Sequence, residues 1–130
     1  MQPLETRAQE RPVILWRSAF LLSASIVLAG SVIDTGSSVV SGLDDKLQHL
    51  LAFAGLAVMA CMGFPQLPVR TVLLPALIGY GLLIECIQWF LPWREFSLLD
   101  LLADAAGALP AMLAAEAWRR RTRTGGEAAS

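Results

Sequence analysis

The sequence predicts an all-α fold: an integral membrane four-helix bundle with its N-terminus and C-terminus in the cytoplasm. Charged residues make up 16% of the 130 residues, where soluble domains carry about 25%. The mean hydropathy is +0.57. Long apolar runs recur without the period-two alternation that a membrane β-barrel requires. These three observations favour helices that cross a bilayer.

Each apolar run is long enough to cross the hydrocarbon core, which takes roughly 20 helical residues at about 1.5 Å per residue. The joints between the runs contain glycine, serine or proline and are too short to form a domain. The predicted transmembrane helices span residues 13–33, 46–64, 70–91 and 98–118. Pro75 and Pro110 lie inside two of them and predict mild kinks.

The helices are expected to form one domain. It covers residues 13–118, after a cytoplasmic N-terminal segment at residues 1–12. The basic cytoplasmic tail, residues 119–130, combines arginines with Gly, Glu, Ala and Ser, so we expect it to be disordered. Its arginines are expected to meet anionic lipid headgroups.

Basic residues are distributed unevenly between the two ends of the predicted bundle. Only Lys46 and Arg94 lie at one end, and the positive-inside rule therefore places that end outside the cytoplasm. The formal net charge of −1 gives no basic field for a nucleic acid, so no nucleic-acid partner is expected. The residues at the cytoplasmic end are Arg7, Arg11, Arg17, Arg70, Arg119, Arg120, Arg121 and Arg123.

Small residues recur every four positions along the fourth helix. Such a stripe lets another helix approach closely, and it predicts a helix–helix contact with a partner or within the bundle. The stripe consists of Ala103, Gly107, Ala111 and Ala115.

Polar residues from three predicted helices and one loop converge at the extracytoplasmic end. Ionisable groups inside a membrane are costly, so each is a candidate functional residue. Residues three or four apart share a helix face, which brings the members of each helix together. The set is Asp45, Lys46 and His49 in the second helix, Glu85 and Gln88 in the third, Arg94 in the next loop, and Asp100 and Asp104 in the fourth.

The charges of this set do not balance. Four carboxylates face two permanent cations, whereas a structural ion-pair network tends towards neutrality. The surplus indicates a proton, a metal ion or a cationic ligand. An ion-pair network that only fixes helix register remains an alternative.

Several chemistries remain open for the polar set. His49, Glu85 and Asp104 are candidate catalytic residues for acid/base work. The other five are candidate ligand-binding residues, because arginine and lysine attract anionic groups. A divalent metal and a proton relay in a transporter are further alternatives, although neither a HExxH motif nor an inverted repeat supports them. The residues assign no cofactor. The ligand-binding candidates are Asp45, Lys46, Gln88, Arg94 and Asp100.

The segments DKLQHLLAFAGL at 45–56 and LLIECIQWFLPWREFSLLDLLADAAGAL at 82–109 resemble the VanZ-like family of small bacterial membrane proteins. The motifs D-K-x-x-H, E-x-x-Q, P-x-R-x-F-S-x-x-D and a closing glycine, Gly107, carry the resemblance over roughly residues 10–118. By matching position, the family's characteristic polar residues fall on the set described above.

Two positions depart from the family pattern. Asp104 stands where the family usually has Asn, and Phe53 stands where an aromatic hydroxyl is common. The resemblance implies a multi-pass protein of the bacterial cytoplasmic membrane. The name-giving member is associated with resistance to the glycopeptide teicoplanin, whereas most members have no assigned reaction.

We therefore expect a VanZ-like inner-membrane protein that acts on or senses a lipid-linked envelope component or a lipophilic glycopeptide at the outer face. An intramembrane hydrolase or transferase on a lipid headgroup, with Glu85 and His49 as acid/base partners, is the alternative from the enzyme class. A non-enzymatic scaffold or subunit, docked through the small-residue stripe, is the third interpretation.

Overall fold

The computed structural model describes residues 3–33 and 42–127, with side chains over 12–33 and 44–122. A π-helical turn, Val69–Leu73, leads directly into the third helix. The described residues form the four helices α1 (Pro3–Val32), α2 (Gly42–Gly63), α3 (Leu74–Trp89) and α4 (Leu98–Glu127).

All four predicted transmembrane helices are present, which confirms the all-α, four-helix membrane bundle. The ends of the apolar, membrane-spanning stretches differ from the predicted ones by at most four residues, while α1 and α4 extend further as helices. The location of the termini stays a prediction. The stretches that are long and apolar enough to cross a membrane are Pro12–Val32, Asp44–Gly63, Val69–Trp89 and Leu98–Thr122.

Contacts at the two ends of α1 establish its direction relative to α2 and α3. Near the end of α1, the Ser31 carbonyl accepts a hydrogen bond from Gln88 near the end of α3. Where the span of α1 begins, Arg17 donates to the carbonyl of Gly63 at the end of α2. Helix α1 is therefore parallel to α3 and antiparallel to α2.

The parallel pair α2 and α4 makes the most extensive helix contact of the bundle. Gly107 of α4 lies directly against the backbone of α2, since a Cβ at this position would overlap the Leu50 carbonyl oxygen. Ala115, two turns further on, is also buried. The small-residue stripe therefore packs on α2 of the same chain at Gly107.

The core lies mainly between α2, α3 and α4. Fully buried Phe53, Leu56, Ile84 and Met112 come from these three helices. The most apolar stretch of α1 contains no fully buried residue among its described side chains. Helix α1 therefore lies at the periphery of the bundle and exposes apolar side chains where lipid would surround the protein.

Two arginines bind the carbonyl groups that the end of α2 leaves unpaired. Arg17 Nε donates to the Gly63 carbonyl at 2.7 Å. Arg119 donates to the carbonyls of Cys61 and Pro65, at 2.9 and 2.6 Å. Because the last carbonyls of a helix carry partial negative charge, these contacts stabilise the end of α2 opposite the polar set.

Helix α4 continues to Glu127, so residues 119–127 of the predicted tail extend this helix. Local pairing stabilises the first residues of the extension. Arg119 is held by α2, and Arg120 forms an ion pair one turn back with Glu116. Residues 128–130 lie outside the described part of the chain.

The π-helical turn lies directly before Pro75. Leu73 N–H donates to the Pro68 carbonyl at 3.2 Å, five residues back. Proline has no N–H and its ring crowds the carbonyl four residues earlier, so a regular α-helical turn is disfavoured at this point. A wider turn removes the conflict and lets the span continue into α3.

The contact between Gly107 and Leu50 predicts that Gly107→Ala lowers the free energy of unfolding by about 2 kcal/mol or more, because the methyl group meets backbone that cannot move freely. Gly79→Ala is the matched control, since nothing lies within 4 Å of its Cβ position. It should leave stability unchanged or raise it by up to about 1 kcal/mol. Unfolding of both variants in detergent checks this, and equal stability would contradict the close contact.

Candidate functional site

Helices α2 and α4 pair two polar residues each across their interface. Lys46 Nζ lies 3.2 Å from Asp100 Oδ1, and His49 Nδ1 lies 2.9 Å from Asp104 Oδ1. The pairs are possible because residues three or four apart face the same side of a helix, and the two helices run in parallel. Polar residues that the sequence places at this end of the second and fourth helices are therefore in direct contact.

The loop between α3 and α4 adds a third ion pair. Arg94 Nη1 lies 3.7 Å from Asp45 Oδ1. The loop is fixed to α1 by Trp93, whose indole N–H donates to the Val32 carbonyl at 3.3 Å. Arg94 is therefore positioned at the end of the bundle where α1 ends and α2 begins.

Glu85 organises the start of α4. Its Oε2 accepts a hydrogen bond from the Ser97 N–H at 2.8 Å, and Ser97 Oγ accepts one from the Asp100 N–H at 3.3 Å. Ser97 is thus the N-cap of α4. Among the described residues no hydrogen bond joins Glu85 to His49, and their roles as acid/base partners stay a prediction.

Gly81 makes room for Asp104. A Cβ at Gly81 would lie 2.5 Å from Asp104 Oδ2 and 3.3 Å from the Phe53 ring. This carboxylate oxygen is buried and has no hydrogen-bond partner among the described residues. Sequence reasoning missed Gly81, although a glycine inside an apolar helix, one turn before Glu85, is the type of signal that marks a close approach.

A cavity of about 180 Å³ opens between α1, α2, α3 and the loop that carries Arg94. Four predicted site residues line it. The other four lie behind them: Lys46 and Asp100 pair with each other, Asp104 holds His49, and Glu85 holds the loop. The lining residues among the predicted set are Asp45, His49, Gln88 and Arg94.

Helix α1 supplies the wall of this cavity that the sequence did not predict. Gly30 and Ser31 line it, and Gln88 Nε2 donates to the Ser31 carbonyl at 3.1 Å. The sequence signal is weak, because glycine and serine are common near the end of any helix, whether or not a cavity lies beside them. The polar side chain of Gln88 is therefore used partly to attach α1.

Three side chains are close enough together to hold a metal ion. One ligand atom each from Asp45, His49 and Asp100 lie within 4.8 Å of one another. Carboxylate oxygen and imidazole nitrogen are common ligands for Zn²⁺ and Mn²⁺. The arrangement also suits general acid/base chemistry, because His49 faces the cavity with a carboxylate behind it.

Comparison with known proteins identifies the family. The model of the VanZ/LLP1 family matches residues 7–119. The chain belongs to this family. The resemblance drawn from the motifs is thereby confirmed, and with the four apolar helices the VanZ-like chain is a multi-pass membrane protein. No curated protein and no solved structure matches the chain.

The pairing of His49 with Asp104 predicts different outcomes for two substitutions. Asp104→Asn keeps an oxygen that accepts the Nδ1–H hydrogen bond, so stability should stay within about 1 kcal/mol of wild type. Asp104→Leu leaves the imidazole N–H unpaired and should lower stability by about 1–3 kcal/mol. Thermal and chemical unfolding in detergent distinguish them. Equal losses would mean that the carboxylate charge, rather than the hydrogen bond, holds His49.

Proposed function

We propose that this VanZ-like protein binds the anionic headgroup of a lipid-linked envelope component at the outer face of the bacterial cytoplasmic membrane. The observation that carries the proposal is the polar cavity at one end of a bundle of membrane-spanning helices. It brings Arg94, Gln88 and His49 to one space. A cation, an amide and an imidazole are groups that recognise phosphate or carboxylate.

The distribution of basic residues supports the outer face. Arg94 and Lys46 are the two basic residues at the cavity end, whereas Arg17, Arg70 and the arginines of α4 lie at the opposite end. The positive-inside rule directs the arginine-rich end to the cytoplasm. The cavity then opens at the outer leaflet, where lipid headgroups can reach it.

Arg94 has the geometry of an available anion binder. Its contact with Asp45 is long, at 3.7 Å between the charged atoms, and its side chain is 27% exposed. A guanidinium has five N–H donors, so one loose ion pair leaves most of them for a ligand. An incoming phosphate can therefore bind two of these donors without breaking a strong internal contact.

A second cavity, beside the same helices, supports a ligand with an apolar tail. It measures about 280 Å³ and lies further along α1 and α3, where Phe20, Ala24 and Leu77 line it. Tyr80 marks the boundary between the two cavities, because its hydroxyl donates to the Ala24 carbonyl. A polar cavity followed by an apolar one matches an amphiphile with an anionic head and a hydrocarbon chain.

An enzymatic role is the second candidate, and the His49–Asp104 pair favours it. A histidine that is oriented by a carboxylate and faces a cavity can accept or donate a proton at a bound headgroup. The alternative is therefore a hydrolase or transferase acting on that headgroup. Mass spectrometry of the lipids from cells that overproduce the protein or its His49→Gln variant tests it, and identical headgroup profiles would exclude the reaction.

Glycopeptide resistance is the physiological role that family membership suggests. A protein that binds lipid-linked headgroups at the outer face could reduce the access of a lipophilic glycopeptide to the same surface. Teicoplanin susceptibility of a host that expresses wild type or Arg94→Ala tests this role. Equal susceptibility with and without the protein would limit its function to envelope physiology.

The headgroup proposal predicts that the purified protein binds farnesyl phosphate at least tenfold more tightly than farnesol, the same chain without the phosphate. Arg94→Ala should remove most of this preference, because Arg94 is the proposed binder of the phosphate. A tenfold loss of affinity corresponds to about 1.4 kcal/mol of binding free energy. Arg70→Ala is the matched control, since Arg70 lies at the other end of the bundle. Native mass spectrometry measures the affinities. Equal affinities for the two compounds would contradict the proposal.

A substitution that retains every charged group provides an independent test of the headgroup proposal. Gly30 lines the polar cavity, and no atom of the described side chains and neighbouring helices lies within 4 Å of its Cβ position. Gly30→Ile should therefore weaken farnesyl phosphate binding by narrowing the cavity, with little effect on folding. Gly79→Ile is the control, because Gly79 also has open space and lies outside the cavity lining. Unchanged binding in Gly30→Ile would show that the ligand sits elsewhere.

A further inference from the structure

Three potential metal ligands come from two helices and meet beside the polar cavity. Atoms of Asp45, His49 and Asp100 lie within 4.8 Å of one another. Two ligands on one Zn²⁺ or Mn²⁺ ion, each about 2.0–2.2 Å from it, are at most about 4.4 Å apart. Small side-chain rotations are therefore enough to bring the three ligands onto one ion.

The imidazole of His49 is already oriented for metal binding. Its Nδ1 lies 2.9 Å from Asp104 Oδ1, so the proton belongs on Nδ1 and the lone pair on Nε2. A carboxylate behind a histidine is the usual arrangement at metal centres, because it fixes the tautomer and the orientation of the ring. Asp104 fits this role, since it is fully buried and does not line the cavity.

Asp100 supplies a second, independent indication of a missing ligand. The residue is 6% exposed, and its Oδ1 accepts no hydrogen bond from the part of the chain that the structure describes. Lys46 Nζ lies 3.2 Å away, but this contact is electrostatic and not a hydrogen bond. Lys46 offsets part of the charge of this buried oxygen without donating a hydrogen bond to it, so the oxygen keeps a lone pair that can coordinate a metal ion.

The charge of the cluster also matches a divalent ion. The described carboxylates of the polar set are Asp45, Glu85, Asp100 and Asp104, and they face Lys46 and Arg94. With His49 neutral, the surplus is two negative charges. One divalent cation restores neutrality at the place where the surplus lies.

We propose that Asp45, His49 and Asp100 bind one divalent transition-metal ion of the Zn²⁺ and Mn²⁺ class at the polar end of the bundle. One nitrogen and two carboxylate oxygens suit these ions, whereas Ca²⁺ prefers oxygen ligands alone. Asp104 is a positioning residue that acts through His49. Water or the ligand's own oxygen completes the coordination shell.

The metal site also gives a reason for the two ion pairs beside it. When the ion coordinates Asp45 and Asp100, Arg94 and Lys46 lose their carboxylate partners and are released towards the cavity. Both cations then attract the anion, so metal and anion should increase each other's affinity. This coupling rests on the proposed function, whereas the metal site itself does not.

Electron paramagnetic resonance of Mn²⁺ tests the site on the full chain, purified in detergent and stripped with EDTA. Titration with MnCl₂ should remove the signal of free Mn²⁺ until one ion per chain is bound. Asp45→Asn and Asp100→Asn should each weaken this binding at least tenfold. Asp44→Asn is the matched control, because it removes the same charge one residue from the cluster, and its affinity should stay within twofold of wild type.

Two further readouts remain decisive even if an Asp variant does not fold. Electron spin echo of Mn²⁺ on the wild-type chain should show modulation from the ¹⁴N nuclei of one imidazole. Bound Mn²⁺ without nitrogen modulation, no saturable binding up to millimolar MnCl₂, or an equal loss in Asp44→Asn would overturn the site.

Farnesyl phosphate should increase Mn²⁺ affinity at least threefold. Mn²⁺ binding without farnesyl phosphate binding would reject the proposed function and leave the metal site supported.

Discussion

The close contact between α2 and α4 determines the rest of this structure. Gly107 lets the two helices approach until a Cβ would overlap the Leu50 backbone. In parallel helices held at this distance, each polar side chain on the facing sides reaches only the polar side chain opposite it. Lys46 then meets Asp100 one turn before the contact, and the remaining polar pair of the interface follows the same register. Gly107 therefore has an electrostatic consequence, because the close approach that it allows determines which charged side chains are neighbours.

The polar set has two layers with different physical tasks. The inner layer consists of groups that do not line the cavity: Asp104 orients His49, and Glu85 holds the N-terminal residues of α4 through Ser97. The outer layer lines the cavity and includes His49 and Arg94. Buried charges without complete partners destabilise a bundle. A protein that retains them at one end is therefore less stable than it could be, and the charges serve binding rather than folding. The unsatisfied carboxylate oxygens of the inner layer are consistent with this interpretation.

The sequence predicted the helices well, because run length and hydropathy directly reflect the thickness of a bilayer. It also predicted which residues gather at one end, since consecutive helices alternate in direction and this determines which residues lie at each end of the bundle. It could not predict the pairing. His49 faces Asp104 rather than Glu85 because the α2–α4 register depends on packing at Gly107, and spacing along one helix contains no information about the register between helices. The helical continuation of α4 was missed for a similar reason, because Arg119 binds carbonyls on another helix.

The most direct test of the account asks whether packing alone controls the site. Gly107→Ala changes no charge and lies away from the cavity lining, yet it should separate the two helices that hold the polar pairs. The binding of farnesyl phosphate and MnCl₂ would be measured on the folded fraction of this variant, isolated by size exclusion in detergent. We expect at least a tenfold loss of both affinities, with Gly79→Ala unchanged. A folded Gly107→Ala protein that binds both probes as tightly as wild type would contradict it.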